Sequence, residues 1–414
     1  MATITTSSLG ELLKRLYASW EIEQLVNLTY PALEHCARKG SAQLGGSGFY
    51  FPVRTESAHG HAYIGESADL PAGRQTTVKQ AVVSPTVHAG VVQLTGLSMA
   101  ISSGNAMAFA RSFDENVQQT IEAMSAYKEG ALFRDGSGLL ATQTDTATGV
   151  ITAGTAIEMS DVSFFREGMY VDHIDATATT RHNLDLQVTE VDWVNKTVKF
   201  DANTAGSGVG NRLFISDSQA DTGALDTDIE PIGLEGALLA TGTYLGISRS
   251  SDPNWQSNVL AANSFFDEDI LLRARTRITQ ESGVTLQRMA RSFKAVSHPM
   301  QQDVLFKLAI PRIRYSGNEN FDLGNSDNLK FGGIPFVTSY QCPAGTAYLG
   351  DWKHNVSLYT PNGELHIDTE YNGSSLKWVA TKDVGLVFVK EYCAFANKKP
   401  NCFARITDLT QPSR

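Results

Sequence analysis

The chain has 414 residues, of which 42% are apolar and 19% charged, and a formal net charge of −10. This balance leaves room for two or three cores and argues against wholesale disorder. It also excludes a strongly cationic nucleic-acid binder: the longest basic run is Lys398-Lys399, so any contact with double-stranded DNA is expected to be weak and non-specific. No run of about 18 apolar residues marks a membrane span. The first apolar stretch, interrupted by Glu11, Lys14 and Arg15, does not read as a signal peptide. The four cysteines (Cys36, Cys342, Cys393, Cys402) show no CxxC pair and no zinc spacing. They read as reduced thiols, with a Cys393–Cys402 disulfide as the alternative.

Residues 1–8 read as an extended arm. Ser8 and Glu11 then have capping-box spacing, and Leu9, Leu12, Leu13, Leu16, Tyr17 and Trp20 follow at helical intervals. Leu12, Leu16 and Trp20 must be buried either in the chain's own core or on a neighbouring subunit. Pro31 predicts a second short helix through Leu33, Cys36 and Ala37, closed by Gly40. Beyond the glycines at 45–48, strand-like runs at 49–53 and 62–64 and longer ones at 75–83 and 86–97 predict a long two-stranded excursion, with turn formers between Gly65 and Gly73. A ribbon of this kind is marginal alone in water, so it is expected to lie on another surface.

Phe109, Phe113, Val117, Ile121, Met124 and Tyr127 predict one long helix over 105–134, with Gly130 fraying its end. Residues 150–232 predict an inserted β module, with strands at 164–174, 184–192, 197–200 and 213–215 and a hairpin turn at Val194-Asn195-Lys196. Asp217, Asp221, Asp226, Asp228 and Glu230 read as a solvated acidic loop whose spacing does not fit an EF-hand. From 234 to 390 helices and strands alternate, including a helix over 267–291 that breaks at Gly283.

Motifs for chemistry are missing. The sequence holds no GxxxxGK[ST], GxSxG or HExxH string, and the glycines at 206–210 read as a turn. His59 and His61 share a face if they lie on a strand, but beyond Glu66 and His88 they lack candidate further ligands, so they read as loop histidines. Asp267, Glu268 and Asp269 sit at a helix start, where the helix dipole accounts for them. No catalytic residue, metal site or cofactor is expected.

The order of parts resembles the tailed-phage major capsid protein family with its Hong Kong 97-type fold. The likeness rests on Tyr63-Ile64-Gly65-Glu66 with Leu70-Pro71, the strands 78–83 and 87–94, and the helix 105–127. Later matches are Trp255, Ser297-His298-Pro299, the turn Gly332-Gly333-Ile334-Pro335, and Cys342-Pro343-Ala344-Gly345-Thr346 leading into Tyr348-Leu349-Gly350. The resemblance implies an α+β fold. Residues 1–44 would be the N-terminal arm, 45–104 the E-loop, 105–149 the spine helix and peripheral domain, 150–232 an inserted β-rich domain, 233–383 the axial domain, and 384–414 the return to the peripheral domain.

It further implies a non-enzymatic shell protein that assembles with itself as hexamers and pentamers around double-stranded phage DNA. Its location would be the virion capsid, after assembly in the host cytoplasm. A portal protein, a separate scaffolding protein and a decoration protein are the implied partners, with an uncleaved arm. An encapsulin-like cellular compartment is the alternative. By the same resemblance, Glu66, Asp69, Arg74 and Lys79 on the E-loop would touch the adjacent subunit, as would Leu12, Leu16 and Trp20 on the arm. Lys79 would be the lysine available for a covalent cross-link to Asn397 or Asn401, or else a solvated or salt-bridging side chain.

Overall fold

The computed structural model describes residues 3–4, 30–39, 44–45, 48–65, 69–97, 106–145, 149–177, 181–219, 229–284, 292–313, 330–331, 334–361, 365–367, 377–379 and 381–410. The predicted arm helix with Leu12, Leu16 and Trp20 lies outside these residues, as do Glu66 and the acidic residues Asp221, Asp226 and Asp228.

The long helix forms as its spacing predicts, over Ala106–Phe133. Val117 and Met124, at helical intervals, pack on Val92, Leu94, Val387 and Val389 of the sheet beneath. Gly130 does not fray the end. A Cβ there would sit 2.5 Å from Gln341 Oε1, so the glycine lets another segment approach the helix closely. We call this element the spine helix.

The sheet under the spine is centred on Val384–Asn397, which pairs antiparallel with Thr86–Thr95 from Val384↔Thr95 to Cys393↔Thr86. Val356–Tyr359 and then Ala37–Lys39 continue the sheet beyond Val384–Asn397, and Thr3–Ile4 lies parallel to Thr86–Thr95 on the other edge. The helix predicted after Pro31 is therefore corrected. It shrinks to one 3-10 turn, Leu33–His35, because Ala37–Lys39 is taken into the sheet. The expected E-loop pairing is corrected too: Thr86–Thr95 leaves the excursion at the Ser84-Pro85 step and joins this sheet.

A second six-stranded sheet runs in the order Asn258–Ser264, Phe403–Leu409, Ala347–Asp351, Phe293–Ser297, Ile334–Thr338, Lys330–Phe331. Helix Glu268–Ser282 packs on it through Ile270, Leu271, Ala274 and Ile278, and helix Pro299–Ile313 through Leu305. Asp267 caps the first helix, its Oδ1 accepting from Ile270 N at 2.9 Å, and the predicted break at Gly283 is a left-handed cap with φ 66°. The segment 384–414, expected to return as one unit, is divided. Val384–Asn397 lies in the spine sheet and Phe403–Leu409 in this one, with a 3-10 turn at Pro400–Cys402 between them.

The inserted β module closes on itself. Its strands run Leu139–Thr142, Arg212–Ile215, Tyr170–Ile174, Arg181–Asp192, Thr197–Phe200, Ile157–Glu158. The first and last then meet through an antiparallel bridge between Gln143 and Met159, with Thr144 N–H donating to Glu158 O at 3.0 Å and Ser160 N–H to Thr142 O at 2.8 Å. Leu140, Met159, Val171, Leu186, Val188, Val198 and Leu213 belong to its buried core. Closure removes the sheet edges. The module thus starts at Leu139 rather than 150, because its first strand is needed to seal the barrel. At the predicted hairpin turn, Asp192 Oδ1 accepts from Val194 N and Asn195 N at 2.8 and 3.0 Å, and Lys196 takes φ 54°.

Candidate functional site

Outside these cores lies the excursion. Gly48–Glu56 and Thr77–Val83 pair antiparallel from Phe49↔Val83 to Glu56↔Thr77, with an irregularity near Thr55. Its base belongs to the body. Phe49, Ala81 and Val83 are buried against Tyr244, Trp255, Tyr359, Ala394 and Ala396, and the Phe49 and Tyr359 rings lie 4.5 Å apart. Val82 N–H donates to Leu245 O at 3.1 Å, and Asn254 Nδ2 donates to Thr55 O at 2.8 Å.

The distal part is a different environment. Residues 57–65 and 69–76 carry no regular secondary structure and are mostly exposed. Tyr63 is fully exposed and Leu70 is 83% exposed, with Ile64 and Val78 also open to solvent. A Cβ on Gly60 would sit 2.9 Å from Arg74 N, so the two arms of the tip touch there. Four large apolar side chains on one thin ribbon are left uncovered by the described residues, and such a patch marks a contact surface.

Of the predicted E-loop contact residues, Asp69 and Arg74 sit on this exposed tip. Lys79 does not. It lies at the base, where its ammonium reaches Asp252 Oδ2 of the same chain at 2.6 Å; Asp252 is buried. The two cross-link candidates also differ. Asn397 is buried, its Oδ1 accepting from Lys399 N at 3.1 Å, while Asn401 is half-buried with its carbonyl accepting from Asn258 Nδ2 at 3.1 Å. His59 and His61 lie on irregular chain rather than a strand, rings 6.2 Å apart, and His88 is on the spine sheet. Among the described residues no group of three or more His, Cys, Asp or Glu side chains is placed to hold a metal ion.

Sequence reasoning missed the buried charges at the C-terminal end of the spine. Lys128 Nζ reaches both carboxylate oxygens of Glu391 at 2.9 Å, with both side chains buried. Arg134 donates to Glu230 through Nε and Nη2 at 2.8 and 2.7 Å, and the Tyr127 hydroxyl donates to the same carboxylate. The Arg134 guanidinium lies against the Tyr127 and Phe164 rings, 4.5 and 4.9 Å from their centroids. The acidic-loop reading is thereby corrected at Glu230, which is buried because it neutralises Arg134. Ser339 Oγ donates to Glu129 Oε1 at 2.5 Å. Burial raises the Glu129 carboxyl to about 7, against the opposing hydrogen bonds from Ser339 and the backbone of Ala32 and Leu33. Burial, with Lys128 and Arg134 nearby, lowers His88 to about 4. A charge in an otherwise apolar strand, as at Glu391, is the available sequence signal for such pairs.

The four cysteines are free and buried, and burial pushes Cys36 and Cys393 up to about 12, which leaves them protonated and unreactive.

No family model matches the chain, and no curated protein matches it. Solved structures do. A chain of the cyanophage A-1(L) capsid asymmetric unit aligns over 96% of this chain and 98% of its own, with a TM-score of 0.55 at 14% sequence identity. A capsid chain of the empty GTA particle aligns over 95% of this chain and 94% of its own, with a TM-score of 0.50 at 8% identity. The fold is the Hong Kong 97-type capsid fold. At these identities the likeness is one of fold, and it extends over nearly the whole chain.

Proposed function

We propose that this chain is the major capsid protein of a tailed double-stranded-DNA bacteriophage. It assembles as hexamers and pentamers into an icosahedral shell. The observation that carries the reading is the excursion: on a capsid fold, it extends Tyr63, Ile64, Leu70 and Val78 into solvent with nothing among the described residues to cover them. A neighbouring subunit of the same shell is the surface that accounts for them, since obligate interfaces bury about 2,000 Å² or more and thin arms reach such areas without a large core. Asp69 and Arg74 then lie at the contact, together with Glu66. Lys79 serves its own chain by holding the ribbon's base on Asp252, and the geometry around Lys79 and Asn397 favours a non-covalent shell.

In this reading the protein acts by assembly rather than catalysis. It forms shells in the host cytoplasm with a portal protein and a separate scaffolding protein, and accepts a decoration protein on the finished virion. Negative-stain electron microscopy tests it, on the chain expressed alone and with the proteins encoded beside it. Closed icosahedral shells or tubes are the expected result. A persistent small monomer in both preparations would overturn the reading, and shells filled with a protein cargo and no DNA would move it to an encapsulin-like compartment.

A further inference from the structure

The sequence shows no basic stripe, but the tertiary structure assembles one. The short helical turn Trp352–Asn355 packs against both Ala37–Lys39 and Phe293–Ser297, and its Asn355 carbonyl accepts from Lys398 N–H at 2.9 Å. These converging segments carry Arg38, Lys39, Lys294, Lys353, Lys398 and Lys399. Six cations thus gather around one turn of a chain whose net charge is −10.

Little nearby neutralises them. Asp351 is buried and committed to His354, whose Nδ1 lies 2.9 Å from its Oδ1. Glu34 faces Lys294. Lys39, Lys353, Lys398 and Lys399 form no ion pair with a carboxylate among the described residues. The Lys398 ammonium lies 5.7 Å from the centroids of both the Phe51 and Tyr359 rings, and Lys39 is in register with Tyr359, which brings the two lysines together. Burial, and then the neighbouring Lys39 charge, hold Lys398 below the usual lysine range. Lys294 Nζ lies 3.1 Å from ring nitrogens of His35, and burial holds both groups low. Like charges gathered this way repel one another, and a polyanion relieves that repulsion.

The surroundings narrow the polyanion. None of the large exposed apolar side chains of the described residues lies on these segments, so the patch lacks the apolar centre of a protein interface. Among the described residues it also presents no exposed Phe, Tyr or Trp ring on which unpaired bases would stack. Four of its five lysines are point charges with no carboxylate partner among the described residues, suited to a phosphate backbone and not to reading base edges.

We propose that this cluster, centred on Lys39, Lys353, Lys398 and Lys399, is a sequence-independent contact for the phosphate backbone of double-stranded DNA. The proposal rests on the capsid reading, for which it names the DNA-facing surface of the subunit.

The test is fluorescence anisotropy of a short labelled duplex of arbitrary sequence titrated with dilute, unassembled full-length subunit, between about 50 and 200 mM salt. Each lysine on a phosphate contributes about 0.9 to the slope of log affinity against log salt, so Lys39→Gln/Lys398→Gln/Lys399→Gln is expected to lower the slope by about 2 to 3 and the affinity at least tenfold. The pair Lys353→Gln/Lys399→Gln, both at exposed positions, is expected to lower the slope by about 2 with unchanged melting, which guards against a folding defect. Lys377→Gln/Lys382→Gln/Lys390→Gln, elsewhere on the molecule, is expected to leave both unchanged. Equal slopes for the wild type and the cluster variants, or an equal loss in that control, would overturn the proposal. A cluster substitution that weakened binding of polyglutamate more than binding of duplex would overturn it in favour of an acidic protein partner. Microscopy of the same preparations separates the two readings. Shells without a change in duplex affinity sink the patch alone; subunits that bind duplex through these lysines and never form shells sink the capsid reading alone.

Discussion

The barrel at 139–215 and the excursion at 48–83 are both built from antiparallel strands, yet they treat edges and apolar faces in opposite ways. The barrel seals its two outer strands with the Gln143–Met159 bridge and fills its interior with its own side chains. The excursion keeps two principal strands, buries only the base, and leaves Tyr63 and Leu70 in water. The barrel's stability is therefore internal to the chain. The ribbon's tip is covered by none of the described residues. Their joints to the body differ in the same sense: Arg134–Glu230 is a buried, two-point pair, whereas Lys79–Asp252 is a single contact with a half-exposed lysine.

The largest expected effect breaks the barrel's joint. Arg134→Met leaves Glu230 buried and unpaired, which costs about 3–5 kcal/mol when a buried pair loses one partner. A Tm loss in calorimetry of the purified subunit checks this, and a loss equivalent to less than about 1 kcal/mol would mean the joint is far wetter than its burial indicates.

Glu129 provides the next effect, and its sign depends on pH. Burial raises its folded-state carboxyl from the ordinary value of 4.5 to about 7, so the folded chain holds the proton more tightly than the unfolded one. That contribution is fully present at low pH and is lost as pH rises toward 7. At 1.36 kcal/mol per unit, a rise from 4.5 to about 7 makes the loss about 3 kcal/mol. The Glu129→Gln variant lacks this titration, so its Tm relative to wild type is expected to climb between about pH 5 and pH 8. A constant difference across that range would show that Glu129 titrates normally.

The excursion's own joint is weaker. Lys79→Met is expected to cost about 1 kcal/mol, discounted for solvent screening of the exposed lysine. Urea unfolding checks the value, and a cost equal to that of Arg134→Met would erase the contrast between the joints. The smallest effect on stability falls at the tip. Tyr63→Ser/Leu70→Ser is expected to change subunit stability by no more than about 0.5 kcal/mol, as for surface substitutions, while abolishing shell formation by microscopy. Normal shells from this variant would show that the exposed side chains are not what neighbours grip.

Periodicity alone determined the spine helix, whose apolar residues recur every three or four positions whatever the rest of the chain does. Local signals also set the Asp267 cap, the stop at Gly283, the Asp192–Lys196 turn and the outline of the excursion, because capping and turn chemistry act within a few residues. Tertiary structure decided what depends on distant partners. Strand pairing drew Ala37–Lys39 out of a predicted helix, sent Thr86–Thr95 to Val384–Asn397, and divided the C-terminal segment between two sheets. Closure of the barrel needed Leu139–Thr142 from outside the expected module. Glu230 reads as one more solvated acid until Arg134 is beside it, and the lysines at 39, 353, 398 and 399 read as isolated charges until one helical turn gathers them. Helical periodicity, caps and tight turns are short-range and so are written in consecutive residues. Pairing, burial and charge neutralisation are satisfied across the fold, by residues that the sequence keeps far apart.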